Sequence, residues 1–346
     1  MVEAQLYERR GDGTVRCLLC SHCCVLGDGR RGICGVRECR GGRLFTRVAD
    51  RVIAVHVDPI EKKPLFHFLP GSRSLSVATV GCNFRCEFCQ NHSISQLPRE
   101  AADIPGDPVT PDELVAAAVR HGCHSLSFTY TEPTVFYELT RTAGLAARRR
   151  GLRNVYVTNG YMSAEAVAAM AEFLDAANVD LKSFSDAFYH SYCGARLQPV
   201  LDSIRRLHAA GVFLEVTTLI IPGRNSDAAE LRAVAEFLAG VDPAIPWHVS
   251  AFHPDYRMTE LPPTPVALLE RAHAEGRRAG LKYIYCGNVP GHELENTCCP
   301  ACGAVLIERT GFRVRRQRLA RPVCPDCGAA VPVVLAAADG DSERTR

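Results

Sequence analysis

The sequence predicts an α/β protein: a partial (β/α)6 TIM-like barrel with an N-terminal Cys-rich module and a C-terminal zinc-ribbon-like module. From about Ser74, short β-branched or aromatic runs alternate with longer helical patterns, as repeated βα units and a parallel sheet require. Residues 1–70 break that rhythm, being rich in glycine and arginine with six cysteines. Residues 298–346 break it again, with paired Cys-x-x-Cys knuckles followed by an Ala/Asp/Arg-rich tail. The expected organisation is therefore a metal-binding module over 1–70, a core over 71–290, a ribbon over 291–336 and a disordered tail over 337–346.

The expected strands are Leu75–Val80, Ser125–Tyr130, Asn154–Thr158, Asn178–Leu181, Phe213–Ile220 and Trp247–Phe252. The helices between and after them are Pro111–Arg120, Val135–Arg149, Ala164–Leu174, Leu197–Ala210, Asp227–Leu238 and Pro265–Ala279. Each helix repeats apolar residues at three- and four-residue intervals, giving the face that packs on a sheet. Start signals support three of them: Thr110-Pro111 with Glu113, Ser163 before Glu165, and Ser226-Asp227. In a parallel βα architecture the ligand site lies at the carboxyl ends of the strands. Cys82, Glu132, Asn159, Lys182, Pro222 and His253 all fall just past expected strands.

A chain of 346 residues with 47% apolar content can bury one large core and still carry small modules. Its net charge of +2, from 40 basic and 38 acidic residues without long single-sign runs, gives no footprint for nucleic acid. No apolar run approaches the roughly 18–20 residues that cross a bilayer, so no membrane partner is expected. Seventeen cysteines, many two or three residues apart, suit metal ligation in a reducing compartment better than a disulfide framework, and the expected location is cytoplasmic. Lysine occurs only at positions 62, 63, 182 and 282, every other basic residue being arginine. Where lysine persists against such a bias, a compact ammonium is a candidate requirement, Lys182 above all.

The chemistry concentrates in Gly81-Cys-Asn-Phe-Arg-Cys-Glu-Phe-Cys-Gln-Asn91, with the spacing Cys-x3-Cys-x2-Cys just past the first barrel strand. Three thiolates leave one iron of a four-iron cube without a protein ligand, as a catalytic metal site keeps an open position. A zinc loop, or three cysteines buried as small hydrophobes, is the competing reading. The segment resembles the radical SAM superfamily, whose members use this spacing with an aromatic residue before the third cysteine, here Phe88. The resemblance implies that Cys82, Cys86 and Cys89 hold a [4Fe–4S] cluster and that the amino and carboxylate groups of S-adenosyl-L-methionine (SAM) chelate the fourth iron. It further implies an oxidoreductase-like enzyme that forms a 5′-deoxyadenosyl radical and abstracts hydrogen from a substrate, fed by a reducing protein such as flavodoxin or ferredoxin.

Further residues take expected roles from the same resemblance. Thr129-Tyr-Thr-Glu-Pro133 stands where the family has a Gly-Gly-Glu-like sequence, so Glu132 is expected to receive the SAM ammonium; a helix-capping role is the alternative. Asn159, in Val157-Thr-Asn-Gly-Tyr161, and Asp180 and Lys182, at the fourth strand, resemble positions that hold SAM, a cation or the substrate backbone in activating enzymes of glycyl-radical proteins. An internal Asp180–Lys182 ion pair explains those two equally well. Pro246-Trp-His-Val-Ser-Ala-Phe-His-Pro-Asp-Tyr256 makes a plausible substrate wall, with His248 assigned to the cofactor, although His248 and His253 also read as satisfied interior histidines.

In the C-terminal region Cys299, Cys302, Cys324 and Cys327 form two knuckles able to close a tetrahedral zinc site, with Cys298 left over. In the N-terminal region Cys17, Cys20, Cys24 and Cys34 are the expected ligands, with His22, Cys23 and Cys39 competing; the spacing leaves zinc and a second iron–sulfur cluster both open. Asp58-Pro-Ile-Glu-Lys-Lys-Pro-Leu-Phe-His-Phe-Leu-Pro-Gly71, Ile220-Ile-Pro-Gly223, Tyr285-Cys-Gly-Asn-Val-Pro-Gly291 and the ribbon together resemble the radical SAM component of the AmmeMemoRadiSam system. That likeness covers nearly the whole chain and implies AMMECR1-type and Memo-type proteins as partners. Activation of a pyruvate formate-lyase-like glycyl-radical enzyme, and a non-catalytic zinc or iron–sulfur adaptor, are the alternatives.

Overall fold

The computed structural model describes residues 1–100 and 103–336, so the tail expected at 337–346 lies outside the described residues. Eight strands build the main sheet: β1 Ala54–Pro59, β2 Arg73–Ala78, β3 Ser125–Phe128, β4 Arg153–Thr158, β5 Ala176–Asp180, β6 Phe213–Ile220, β7 Trp247–Ala251 and β8 Ile284–Gly287. They lie side by side in the order β8-β7-β6-β5-β4-β3-β2-β1, which leaves β1 and β8 as the edges of an open barrel. All neighbouring pairs from β2 to β8 are parallel, and β1 is antiparallel to β2.

The six expected strands are all present, and β1 and β8 are additions. The expected boundary at residue 70 is corrected by β1, because Asp58 pairs with Ser74 and Val57 with Leu75. An antiparallel edge strand carries no βα signal, so the repeat that reveals the other strands cannot reveal this one. Ile284–Gly287 is the last strand of the sheet and is followed by no helix of the barrel, so it too lacks the βα repeat.

Six helices cover the outside: α1 Pro111–Arg120, α2 Tyr137–Arg149, α3 Ala164–Met170, α4 Gln198–Ala209, α5 Ala228–Val241 and α6 Val266–Arg278. A full capping box between Thr110 and Glu113 starts α1, and the side chains of Ser163 and Asp227 cap α3 and α5. Each helix turns its periodic apolar residues inward, Leu114, Val115 and Ala118 in α1 and Val200, Leu201, Ile204 and Leu207 in α4.

The segment between β1 and β2 fills the lower part of the barrel. Asn178 of β5 donates to the Pro64 carbonyl at 2.7 Å, and the carboxylate of Glu215 in β6 accepts from the backbone N–H of Phe66 and His67 at 3.0 and 2.7 Å.

Two three-stranded sheets form the N-terminal module, and a third, Thr297–Cys298, Val305–Thr310 and Arg313–Gln317, forms the ribbon. Arg309 fastens the ribbon to the barrel plug: its guanidinium lies 4.2 Å over the Phe66 ring and donates to the Phe66 carbonyl at 2.7 Å and to Thr297 Oγ1 at 2.8 Å.

Candidate functional site

A cavity of about 430 Å³ opens at the carboxyl ends of the strands. Cys82, Cys86 and Cys89 line it together with Phe88, Glu132, Asn159, Asp180 and Lys182, so eight of the nine residues expected at the SAM site come together. The loop Gly81–Asn91 hangs between β2 and the N-terminal module. Gly81 has φ +100°, and a Cβ there would stand 2.6 Å from Val36 Cγ1 and 3.0 Å from the Cys34 carbonyl oxygen, so only glycine admits this approach.

Burial raises the Cys82 and Cys89 thiols, and for Cys86 a hydrogen bond with the neighbouring Cys193 thiol adds to burial. Buried thiols of this kind become ligands when a metal's positive charge favours their thiolates. Around them, the Phe84 N–H donates to Cys82 Sγ at 3.3 Å, Asn159 Nδ2 lies 3.8 Å from the same sulfur, and Ser95 Oγ lies 3.4 Å from Cys89 Sγ. Among the described residues, the sulfurs of these three cysteines do not form a group all within 4.8 Å, the spread a single ion would gather.

Glu132 is 1% exposed, and its carboxylate is crowded with neutral donors: Thr134 N at 3.0 Å, Thr158 Oγ1 at 2.7 Å and Asn159 N at 2.8 Å. Burial pushes its carboxyl up, and no ion pair to it exists among the described residues. The capping alternative is realised as well, through Thr134 N. A buried carboxylate that faces a cavity without a cation is the group to which a cationic amine can bind.

The departure from Gly-Gly at 130–131 has a structural answer. Tyr130 adopts φ +64°, the left-handed conformation natural to glycine, and its hydroxyl donates to Asp58 Oδ2 at 2.5 Å. Asp58 also accepts from Lys62 at 2.9 Å, Lys63 at 2.7 Å and Ser76 at 2.7 Å. Burial raises the Asp58 carboxyl, but Lys63, Tyr130, Ser76 and Lys62 hold it well below the usual carboxylate range. Burial in turn lowers the Lys63 ammonium to about 8, against the pull of Asp58. Lys62, Lys63 and Tyr130 line the cavity, and none of them was given a role at the site from sequence, although the retention of lysine at 62 and 63 was an available signal.

Lys182 donates to Asp180 at 2.9 Å and stands 5.8 Å from the Phe88 ring centroid. Burial works against its charge, but the Asp180 carboxylate beside it holds its pKa well above the ordinary value. The internal ion pair and the cavity position are thus both present.

His248 requires correction. It is 2% exposed and does not line the cavity; its Nε2 lies 2.7 Å from Glu215 Oε2, and its ring stacks on Tyr285. Alternation along β7 explains the error: Ser250 faces the cavity, and His248, two residues earlier, points to the same side but lower, where the plug lies. His253 is exposed and pairs with Gln90 at 2.8 Å.

Among the four C-terminal cysteines, Cys299 Sγ lies 3.6 Å from Cys327 Sγ, Cys302 Sγ lies 3.7 Å from Cys324 Sγ, and all four sulfurs lie within 4.8 Å of one another. Tetrahedral zinc with bonds of ~2.3 Å places its sulfurs about 3.8 Å apart. Against the effect of burial, the backbone N–H groups of Cys302 and Ala301 help draw the Cys299 thiol down to about 7. The tip of the ribbon hairpin carries Phe312, which lines the cavity from the far side. In the N-terminal module Cys17, Cys20, Cys24 and Cys34 line one enclosed pocket. His22, Cys23 and Cys39 do not line it, and His22 instead pairs with the Asn83 carbonyl at 2.9 Å.

An open parallel barrel with three cysteines on the loop after its first parallel strand defines the class. Residues 76–238 match the radical SAM superfamily, and the chain belongs to it. It is 44% identical over 338 residues to an uncharacterized protein of Methanocaldococcus jannaschii, a match covering 97% of this chain and 100% of that one. The isethionate sulfite-lyase activating enzyme of Nitratidesulfovibrio vulgaris is 27% identical over 158 residues, 43% of this chain and 52% of that enzyme, so the match spans about half of the relative. Among solved structures, a radical SAM methyltransferase from Sphaerobacter thermophilus superimposes with a TM-score of 0.50 at 15% identity, covering 64% of this chain and 68% of that one. The superposition concerns the fold.

Proposed function

We propose that Cys82, Cys86 and Cys89 hold a [4Fe–4S] cluster at which SAM is reductively cleaved, and that the resulting radical abstracts hydrogen from a substrate in the cavity above Lys62 and Lys63. The observation that carries the reading is the pairing of three thiols, one buried and two half-buried, with a buried carboxylate that has no cation, across one cavity. Together the cluster and SAM supply an organic radical when bound. The chain's residues supply the rest. Glu132 fixes an ammonium, and Asn159 orders the loop by donating to Asn83 Oδ1 at 2.7 Å. Lys182 and Asp180 provide polar anchors, the buried Phe88 supplies an apolar wall, and the half-exposed Phe312 lines the cavity from the ribbon. A second metal centre, zinc in the four-cysteine ribbon, would hold Phe312 at the cavity rim.

Anaerobic reconstitution with iron and sulfide, followed by dithionite and SAM, is expected to yield 5′-deoxyadenosine. Absence of that product from protein shown to carry a cluster would sink the proposal and leave a non-catalytic adaptor.

A second reading has the substrate as a glycine in a partner protein. It draws on the activating enzymes that match part of the chain, the isethionate sulfite-lyase activating enzyme among them. A glycine-centred doublet in paramagnetic resonance after incubation with a glycyl-radical protein would establish it. The flanking ribbon favours a smaller substrate, because its Phe312 lines the cavity. On this proposal the enzyme works in the cytoplasm as the radical SAM member of an AmmeMemoRadiSam set. It draws electrons from a flavodoxin or ferredoxin and meets AMMECR1-type and Memo-type partners; pull-down of either type by the full chain checks that assignment.

A further inference from the structure

We infer that the N-terminal pocket of Cys17, Cys20, Cys24 and Cys34 holds a second iron–sulfur cluster, of the four-iron type, which passes electrons to the SAM-cleaving centre. The direction of flow rests on the reading above; the occupancy does not.

Four observations support the occupant. First, all four thiols converge on one enclosed pocket whose remaining wall is mainly apolar, with Leu19, Leu26, Ile33 and Val135, so the group it holds is sealed from water. Second, the C-terminal cysteines close to sulfur separations of 3.6 and 3.7 Å, while the N-terminal four form no group within 4.8 Å among the described residues. The same fold therefore gathers the C-terminal sulfurs at separations that suit a single ion, and among the described residues it gathers neither the N-terminal four nor Cys82, Cys86 and Cys89 in that way. Tetrahedral zinc would gather the sulfurs to about 3.8 Å; a four-iron cube ligated at its corners needs them further apart.

Third, Arg37 lines the pocket, is 1% exposed, and has a buried Nε with no hydrogen-bond partner among the described residues. Its terminal nitrogens are occupied: NH2 lies 3.0 Å from Glu138 Oε1 and 2.5 Å from the Gln5 carbonyl. A buried unsatisfied donor is costly unless something meets it. A cluster held by four thiolates is negatively charged and rich in sulfur acceptors, and it satisfies both the charge and the N–H.

Fourth, the pocket adjoins the SAM-cluster loop. Arg99 Nε donates to the Ile33 carbonyl, one residue from Cys34, at 2.8 Å, and its NH2 donates to the Cys82 carbonyl at 2.7 Å. Gly81, next to Cys82, is the position at which a Cβ would strike Val36 and the Cys34 carbonyl. One ligand of each proposed cluster is thus joined through a single guanidinium. A low-potential one-electron donor reduces the N-terminal cluster by one electron. Passing that electron on reoxidises the N-terminal cluster and reduces the other; no atom or proton moves.

The test counts metal in the full chain. Wild type reconstituted without oxygen is expected to hold about eight irons, about eight sulfides and about one zinc, from the two four-iron clusters and the ribbon. The variant C82A/C86A/C89A is expected to keep about four irons and, once reduced by dithionite, a low-temperature paramagnetic signal of a four-iron cluster. The variant C20A/C24A is expected to keep the other four and to lose turnover driven by a protein donor. If C20A/C24A does not fold, the triple variant decides alone. Absence of iron from the triple variant, or a second zinc in wild type, overturns the inference and leaves SAM cleavage by wild type to be judged separately. Four irons in the triple variant with no 5′-deoxyadenosine from wild type would do the reverse.

Discussion

Glu215 holds His248 at 2.7 Å inside the barrel while its carboxylate also accepts from Phe66 N and His67 N, so a single buried side chain joins β6, β7 and the plug. Burial opposes the charge on Glu215, yet His248 and His67, together with the Phe66 N–H, hold its pKa below the ordinary value. Removing one partner of such a buried arrangement leaves the others unsatisfied, which costs ~3–5 kcal/mol. Glu215→Ala is expected to lose stability on that scale, read from the denaturant midpoint. A loss within a few tenths of a kcal/mol would show that the plug is held by packing alone.

The barrel was legible because its apolar periodicity is long and its helix caps are explicit, as at Thr110 and Glu113. The cluster loop was legible because thiol spacing is a local property. His248 misled for the opposite reason: a sequence gives the side of a strand on which a residue lies but not the height at which another segment fills the barrel. Residues 60–69 fill it from below, and no periodicity marks a plug. Lys62, Lys63 and Asp58 escaped for the same cause, since they reach the site from an antiparallel edge. The N-terminal set Cys17, Cys20, Cys24 and Cys34 was legible from its spacing, and the structure adds that these four line one pocket while the competing His22 turns to the Asn83 carbonyl.

Glu132→Gln separates charge from shape. With the Gln oxygen placed to accept from Asn159 N, the hydroxyls of Thr134 and Thr158 can rotate toward the amide, but the Thr134 N–H, which donates to Glu132 Oε1 at 3.0 Å, loses its acceptor. The pairing with an ammonium is lost together with that one backbone hydrogen bond, so a modest stability cost accompanies the lost charge. A hydrogen bond to a charged group is worth ~1.5–3 kcal/mol, so KM for SAM should rise about 10- to 100-fold with a much smaller change in cluster content. The wild-type pH profile should share this origin. Burial raises the Glu132 carboxyl, so acidification through that raised value neutralises it and weakens SAM binding from the acid side. The Gln variant should lack that limb, and an identical limb in both proteins would assign it elsewhere.

Metal removal should act on the ribbon before the barrel. Cys299→Ser or a strong chelator is expected to release about one zinc per chain and to open the hairpin that carries Phe312, because small metal modules depend on the ion for folding. Limited proteolysis should then cut within 299–327, while the helical signal of the barrel persists. Turnover should fall through water access at the cavity rim, so Phe312→Ala should reproduce part of the loss with the zinc retained. Unchanged protease sensitivity in metal-free protein would refute a structural role for the ion.

His67 gives the fold an acid-sensitive joint. It is fully buried, with Nδ1 2.9 Å from the Pro332 carbonyl and Nε2 2.6 Å from the Tyr285 hydroxyl. Burial lowers its pKa from 6.5 to about 4, although Glu215 and the Pro332 carbonyl pull the other way. The folded state therefore keeps His67 neutral where the unfolded chain already binds a proton. By linkage, stability is unaffected above the unfolded value near 6.5, falls as pH drops from there toward about 4, and levels below it. A depression of this size corresponds to about 3 kcal/mol at the acid end. Because His67 joins the plug to the 332–334 segment, the first segment to loosen should be the ribbon and its C-terminal extension. Hydrogen exchange between pH 7 and pH 4 should show protection lost at Leu69 and Val334, whose backbones pair at 2.7 Å, before it is lost in β4 or β5. His67→Gln, which cannot take up a proton, should flatten the acid limb; an unchanged limb would move the titrating group away from this joint.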